Sequence, residues 1–215
     1  MKFGIIGLNG RMGQEIRTLF EEDRHQLVFS YDKDGVIQSD IPDVLIDFSL
    51  PEVFQKTAEF VKKFQCPLVI GTTGLNEEQF AMIKALSEKV AIVQSYNFSI
   101  GIQILLKATE LLKEHIGDWD IEIMEIHHRF KQDKSSGTAK MLGKVFDRDI
   151  PISSLRLGNI PGDHSVYFGS MGETITLSHR ATSRRTFAEG ALKSAKFLRK
   201  RKHGLFSFKQ VLFSK

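Results

Sequence analysis

The fold class this sequence of 215 residues predicts is α/β: a doubly wound parallel sheet followed by a second α+β domain with a mixed sheet. Three observations predict it. Short apolar runs alternate with helix-spaced apolar sets through the first hundred residues, as repeated βα units require. After Asn97 the pattern changes to one long helix and then clustered strands with turn signals. The last periodic segment is a helix of the kind that returns to a first domain, so the chain is expected to cross between domains twice.

The elements follow in order. Strands are expected over 2–6, 27–31, 44–48, 68–71 and 90–94, each a continuous apolar run. Met12, Ile16, Leu19 and Phe20 give the first helix its buried face; Val53, Thr57, Phe60, Val61 and Phe64 give the second. Pro51 suits the first turn of that second helix, and Asn76 before Glu77 and Glu78 reads as a cap followed by first-turn acids. A long helix is expected over 100–116 and a strand over 120–126. A short helix after Ser136 and strands near 153–158, 164–170 and 173–180 complete the second domain, with Pro161-Gly162-Asp163 as a turn. The chain then ends in a helix with Phe187, Ala191, Ser194, Ala195 and Leu198 on one face. The domain boundaries expected are 1–98 with 185–215 for a dinucleotide-binding domain, and 99–184 for a substrate domain.

Composition narrows the function classes. At 41% hydrophobic and 26% charged residues the chain has ordinary globular usage, and its length buries about 70% of the unfolded surface. No run approaches the ~18 apolar residues of a membrane span, and MKFGIIGLNG meets Gly7 and Arg11 too early for a signal peptide. A cytoplasmic protein without a membrane partner is expected. Cys66 is the one cysteine, which excludes an internal disulfide and multi-cysteine metal sites; it reads as a small core filler. The net charge of +4 is mild, and much of it lies in Arg199-Lys200-Arg201-Lys202-His203, a solvated helix end that complements the dipole. No nucleic-acid partner is expected.

Gly7-Leu8-Asn9-Gly10-Arg11-Met12-Gly13 follows the first strand directly and opens the first helix. In that setting glycines permit a tight turn and let backbone N–H groups approach a pyrophosphate at a helix start. The spacing is G-x-x-G-x-x-G, with Asn9 where the usual fingerprint has its middle glycine; Asn tolerates the left-handed backbone that glycine supplies there. Asp32 ends the second strand about 20 residues on, where an acid binds ribose hydroxyls. Lys33 beside it suits a 2′-phosphate. Gly71, Thr72, Thr73 and Ser95, Tyr96, Asn97, Phe98 follow later strands and suit the nicotinamide-ribose wall. The fold is therefore expected to be Rossmann-type, with NADH or NADPH as cofactor.

The densest chemistry is Glu125–Ala139, EIHHRFKQDKSSGTA. His127, His128 and Lys131 are proton donors within five residues. Ser136, Gly137 and Thr138 lead into a helix whose N–H groups suit a carboxylate. Together they describe a pocket for a small dianion that is protonated during reaction; a solvated basic loop is the plainer alternative. A metal site on His127, His128 and Asp133 is disfavoured, because adjacent strand residues point to opposite faces.

With these residues in view, the sequence resembles the dihydrodipicolinate reductase family in its short form. The matching stretches are GLNGRMG at 7–13, VLIDFS at 44–49, GTTG at 71–74, NFSIG at 97–101, EIHHRFKQDKSSGTA at 125–139 and HRATSRRTFAEGA at 179–191. They run in the family's order along the whole chain. The resemblance implies NAD(P)H-dependent reduction of 4-hydroxy-tetrahydrodipicolinate to tetrahydrodipicolinate, in the diaminopimelate route of lysine biosynthesis. It also implies a cytoplasmic homotetramer acting on a small dicarboxylate, with no metal. By the same resemblance His127 is the proton donor/acceptor and Lys131 the proton donor. His128, Ser136, Gly137 and Thr138 hold substrate carboxylates, and Gly7 to Met12, Asp32, Gly71 to Thr73 and Ser95 to Phe98 contact the cofactor. One departure stands out: the family reads D-x-P-S-G-T, and Ser135 replaces the proline, removing a backbone restraint. Two other readings keep parts of this pattern. One is another nicotinamide-dependent reductase of a small cyclic dicarboxylate on the same fold; the other is a non-catalytic nucleotide sensor that binds nucleic acid through its basic tail and has no use for the HHRFK segment.

Overall fold

The apolar run Lys2–Ile6 forms strand β1 of a seven-stranded sheet in the computed structural model, which describes residues 1–214. Helix α1 (Arg11–Glu22) follows, then β2 (Gln26–Asp32), β3 (Gly35–Gln38) and β4 (Val44–Asp47). A 3-10 turn at Pro51–Val53 leads into α2 (Phe54–Phe64), and β5 (Leu68–Ile70), α3 (Glu77–Ser87) and β6 (Ala91–Gln94) complete the repeat. β1 pairs in parallel with β2 and β4, β4 with β5, and β5 with β6; β3 alone runs antiparallel, closing a hairpin on β2.

The chain then builds α4 (Ile100–Lys113), β7 (Asp120–His127), α5 (Gly137–Gly143), β8 (Ile152–Arg156), β9 (Asp163–Gly169) and β10 (Thr174–Arg180). These strands form a separate mixed sheet in the order β10-β9-β7-β8, in which only β7 and β8 are parallel. Finally α6 (Arg185–Leu198), β11 (Gly204–Ser207) and α7 (Phe208–Phe213) return to the first sheet, where β11 pairs in parallel with β6 at the edge. The residues thus divide into two compact units, Met1–Phe98 with Arg185–Lys215, and Ser99–Arg184.

The mixed α/β fold and the two sheets are as the sequence predicts. Three elements are not. The sequence reading ends the chain on the α6 helix, whereas β11 and α7 follow it; the basic stretch Arg199–His203 that separates them is exposed. The hairpin strand β3 was unforeseen because all four of its residues face solvent and carry no apolar periodicity.

Each unit has its own core. In the first, alternate strand residues face opposite helical layers. Phe3, Ile5, Val44, Ile46, Val69 and Val93 meet α1, α6 and α7, while Ile6, Leu45, Leu68, Ile70 and Ile92 meet α2 and α3. Burial on both faces explains why these strands read as uninterrupted apolar runs. Cys66 belongs to the second layer, where burial pushes its thiol up to about 12 and leaves it an unreactive filler. In the other unit, Ile123, Val166 and Phe168 pack under Ile102, Leu105 and Leu106 of α4 and Ala139 and Leu142 of α5. Among the described residues no helix is long and apolar enough to cross a membrane.

Candidate functional site

Two groups of candidate residues arise, one in each unit. In the first unit, the segments after β1, β2, β4, β5 and β6 all leave the carboxyl ends of parallel strands, the edge where open α/β sheets bind ligands. Gly7 turns there with φ +83°, a conformation glycine adopts at little cost, and its N–H donates to Tyr31 O at 2.8 Å. A Cβ at Gly13 would overlap the carbonyl oxygens of Gly7 and Leu8, so only glycine lets α1 start this close to the loop. Gly10 caps α1 without any side-chain hydrogen bond, so the first-turn N–H groups point out of the helix start beside Arg11 and Met12. This cradle fits a pyrophosphate.

Asn9 differs from its expected role, because its backbone is not left-handed. It works through hydrogen bonds instead. Its N–H donates to Asp32 Oδ2 at 2.8 Å and its side-chain amide to Asp34 Oδ2 at 3.3 Å. The other Asp32 oxygen accepts Lys33 N–H at 2.8 Å, which leaves the carboxylate fixed at the loop's rim with the Lys33 side chain exposed. Of the two later segments, Gly71, Thr73, Tyr96 and Asn97 keep some surface. Thr72, Ser95 and Phe98 are buried: Thr72 Oγ1 donates to Asp47, Ser95 Oγ to Asn97 O, and Phe98 packs between the tilted rings of Phe48 and Phe208.

Sequence reasoning passed over Asp47. Fully buried at the end of β4, it accepts Ser49 N–H (2.9 Å), Ser49 Oγ (2.6 Å), Thr57 Oγ1 (2.7 Å) and Thr72 Oγ1 (2.8 Å). It therefore joins the segment after β4 to α2 and to the segment after β5.

In the second unit, β7 carries the candidate chemistry. Alternation sends Glu125 and His127 to the helix-covered face, above the aliphatic layer of Ile121 and Ile123. Glu125 is fully buried and hydrogen-bonds His127 Nδ1 through Oε2. Arg156, opposite His127 on β8, grips both Glu125 oxygens at 2.8 Å. The same guanidinium donates to the main-chain oxygens of Lys131 (3.3 Å) and Asp133 (2.5 Å), and Lys131 Nζ pairs with Asp133 at 2.7 Å. From β9, the buried His164 ring stacks edge-on against His127 at 5.1 Å. Its Nε2 lies 3.2 Å from Ser136 Oγ, the atom that caps α5 by accepting Ala139 N–H. Gly137 and Thr138 form the first turn of that helix, and His128 is half-buried beyond the strand end.

The electrostatics follow from burial and these partners. Burial opposes the Glu125 charge, yet the Arg156 and His127 hydrogen bonds outweigh it and hold the carboxyl down to about 2. Burial lowers His127 against the supporting Glu125 carboxylate, with Lys131 and Arg156 adding to the fall. His164, more deeply buried and near the His127 ring, drops to about 3 and stays neutral. The structure thus brings His127, Lys131 and Ser136–Thr138 together through Glu125, Arg156 and His164, three residues the sequence reading had given no role. The period-2 alternation of β7 was the available signal for Glu125; Arg156 and His164 lie on other strands and had none. Among the described residues no cluster of three His, Cys, Asp or Glu is placed to hold a metal ion.

Comparison with known proteins bears on both units. Residues 1–98 match the family model described as dihydrodipicolinate reductase, N-terminus, and residues 101–212 its C-terminus counterpart. A 4-hydroxy-tetrahydrodipicolinate reductase of Thermosipho africanus is 50% identical over 212 residues, covering 99% of this chain and 98% of the relative. One from Campylobacter lari is 38% identical, covering 99% of each. Among solved structures, a dipicolinate-bound dihydrodipicolinate reductase from Paenisporosarcina sp. TG-14 superposes with a TM-score of 0.75 at 24% identity, covering 99% of both chains. A probable dehydrogenase from Thermotoga maritima, 12% identical with a TM-score of 0.65, shares the fold over 98% of this chain and 92% of its own.

Proposed function

The chain belongs to the dihydrodipicolinate reductase family, and on that premise we propose that it reduces 4-hydroxy-tetrahydrodipicolinate to tetrahydrodipicolinate, in the diaminopimelate route to lysine. It is an oxidoreductase. The unit of Met1–Phe98 with Arg185–Lys215 is the nicotinamide-nucleotide domain, and Ser99–Arg184 holds the substrate. When bound, NADH or NADPH supplies the hydride. Gly7, Leu8, Asn9, Gly10, Arg11 and Met12 hold its pyrophosphate; Asp32 and Lys33 meet the adenosine ribose; Gly71 to Thr73 and Ser95 to Phe98 border the nicotinamide end.

The 4-hydroxyl leaves as water and the ring takes up one hydride and one proton, so the conversion needs a proton as well as a hydride. Lys131 gives that proton, and His127 takes up and returns protons through Nε2, since Glu125 occupies Nδ1. His128, Ser136 and the N–H groups of Gly137 and Thr138 hold the two carboxylates, which fixes the ring for attack. One observation carries this reading: His127, Lys131 and the start of α5 are bound into a single network around Glu125, Arg156 and His164. A cytoplasmic homotetramer is part of the proposal; Leu155 and Tyr167 on the four-stranded sheet and Leu157 just past β8, 39–52% exposed, support association with other copies.

The test supplies enzymatically made substrate and follows nicotinamide absorbance. Lys131→Ala is expected to lower turnover by ~10²–10⁴-fold, the usual worth of a positioned proton donor, with nucleotide affinity nearly intact. Pyridine-2,6-dicarboxylate is expected to compete with the dicarboxylate and not with the nucleotide. Competition against the nucleotide, or near-normal turnover in the alanine variant, would refute the assignment.

A further inference from the structure

We propose that Glu125 is a positioning residue that fixes the tautomer and orientation of His127, and that Arg156 locks this pair to the Lys131 segment; the inference rests on the reading of His127 and Lys131 as proton carriers. A carboxylate only accepts hydrogen bonds, so the Glu125–His127 bond requires the proton on Nδ1. In a neutral imidazole that makes Nε2 the nitrogen that exchanges protons. Gly162 leaves space beside it, since a Cβ there would lie 3.0 Å from Nε2.

The groups facing His127 come from four places. Glu125 lies on its own strand, Arg156 on β8, Lys131 on the segment that follows and His164 on β9. Two of these, Arg156 and Lys131, are cations that oppose a charge on His127, and neutral His164 contributes only packing. Glu125 is the one anion in this set, so it alone supports the protonated ring. Because Arg156 neutralises Glu125 while holding the carbonyls of Lys131 and Asp133, the two proton carriers are set relative to one anchor. Movement of the Lys131 segment would cost a charge-assisted hydrogen bond at a buried pair.

Glu125→Gln keeps the shape, removes the charge and no longer dictates which nitrogen carries the proton. Its kcat is expected to fall roughly 10²-fold with the KM for the dicarboxylate nearly unchanged. The limb of the kcat/KM profile governed by His127 is expected to move to lower pH, since the ring loses the carboxylate that supports its charge. A merely structural role would leave that limb in place. NMR of labelled imidazole nitrogens in the wild-type protein provides a readout independent of any variant's folding, with His127→Gln assigning the signal. Nδ1 is expected to carry the proton. A proton on Nε2, or an unmoved pH profile with near-normal kcat in Glu125→Gln, overturns the proposal. An inactive wild type with the proton on Nδ1 would support the positioning and overturn the reaction.

Discussion

Asp32 has both oxygens committed to backbone N–H groups, one from Asn9 and one from Lys33, so its charge stays at the rim of the glycine loop whatever the nucleotide. A fixed carboxylate there accepts from ribose hydroxyls and repels a 2′-phosphate. Lys33 offsets the repulsion, but Asp34, tied to the Asn9 side chain, adds a second negative charge that the sequence alone did not associate with the loop. Exposed charges of this kind are each worth about 1 kcal/mol or less, and a tenfold preference needs about 1.4 kcal/mol. Both cofactors are therefore expected to work, with NADH favoured by less than about tenfold. Asp32→Ala shifts the preference toward NADPH and Lys33→Ala toward NADH. Steady-state constants with both nucleotides check this, and a wild-type preference above about a hundredfold in either direction contradicts it.

At the scale of elements, Asp47 shows how a strand end organises its neighbours. Its four hydroxyl and N–H donors come from the segment after β4, from α2 and from the segment after β5. Removing the carboxylate leaves buried donors without an acceptor, at a cost of about 1–3 kcal/mol for each group left unsatisfied. Asp47→Ala is expected to lower the melting temperature and also to raise the Kd for nicotinamide nucleotide, because Thr72 loses its anchor; calorimetry and nucleotide titration measure the two. A stable variant with unchanged nucleotide affinity would show that this network plays no part in shaping the loops. The same elements explain what was legible in the sequence. β1, β4, β5 and β6 were readable because burial on both faces makes each a bare apolar run. β3 and β11 carry two or fewer inward residues and follow charged or turn-forming stretches, so no period emerged. α7 had a usable sign, the capping box of Ser207 with Gln210, hidden behind the five basic and histidine residues at 199–203. At the site, His127 and Lys131 were visible as residue types. Glu125 shares the strand and face of His127 and was legible by alternation, but Arg156 and His164 lie on partner strands, and pairing register is not written in local spacing.

The two units of the molecule carry unequal loads of buried histidine, and that asymmetry predicts how acid unfolds the protein. In Ser99–Arg184, burial lowers His127 and His179 and brings His164 to about 3. In the other unit burial lowers His25 alone. A histidine whose folded value lies below its unfolded one, ordinarily near 6.5, stabilises fully above that unfolded value. As pH falls the unfolded chain takes up a proton that the folded chain refuses, and stability drops by up to about 1.4 kcal/mol per pH unit for each such group. For His164 the loss runs from about pH 6.5 down to about 3. Glu125, depressed from 4.5 to about 2, adds its own loss only across that lower window. The Ser99–Arg184 unit should therefore weaken first, beginning well above the range where carboxylates titrate. Trp119 is the single tryptophan of the chain and packs against the core of that unit, so its emission reports on it alone. On acid titration Trp119 emission is expected to change at higher pH than the far-UV signal of the whole chain. His164→Gln is expected to narrow the gap between the melting temperatures at pH 7 and pH 5, even if it lowers both. Coincident transitions confined below about pH 4.5 would assign the acid sensitivity to carboxylates and remove the histidines from the account.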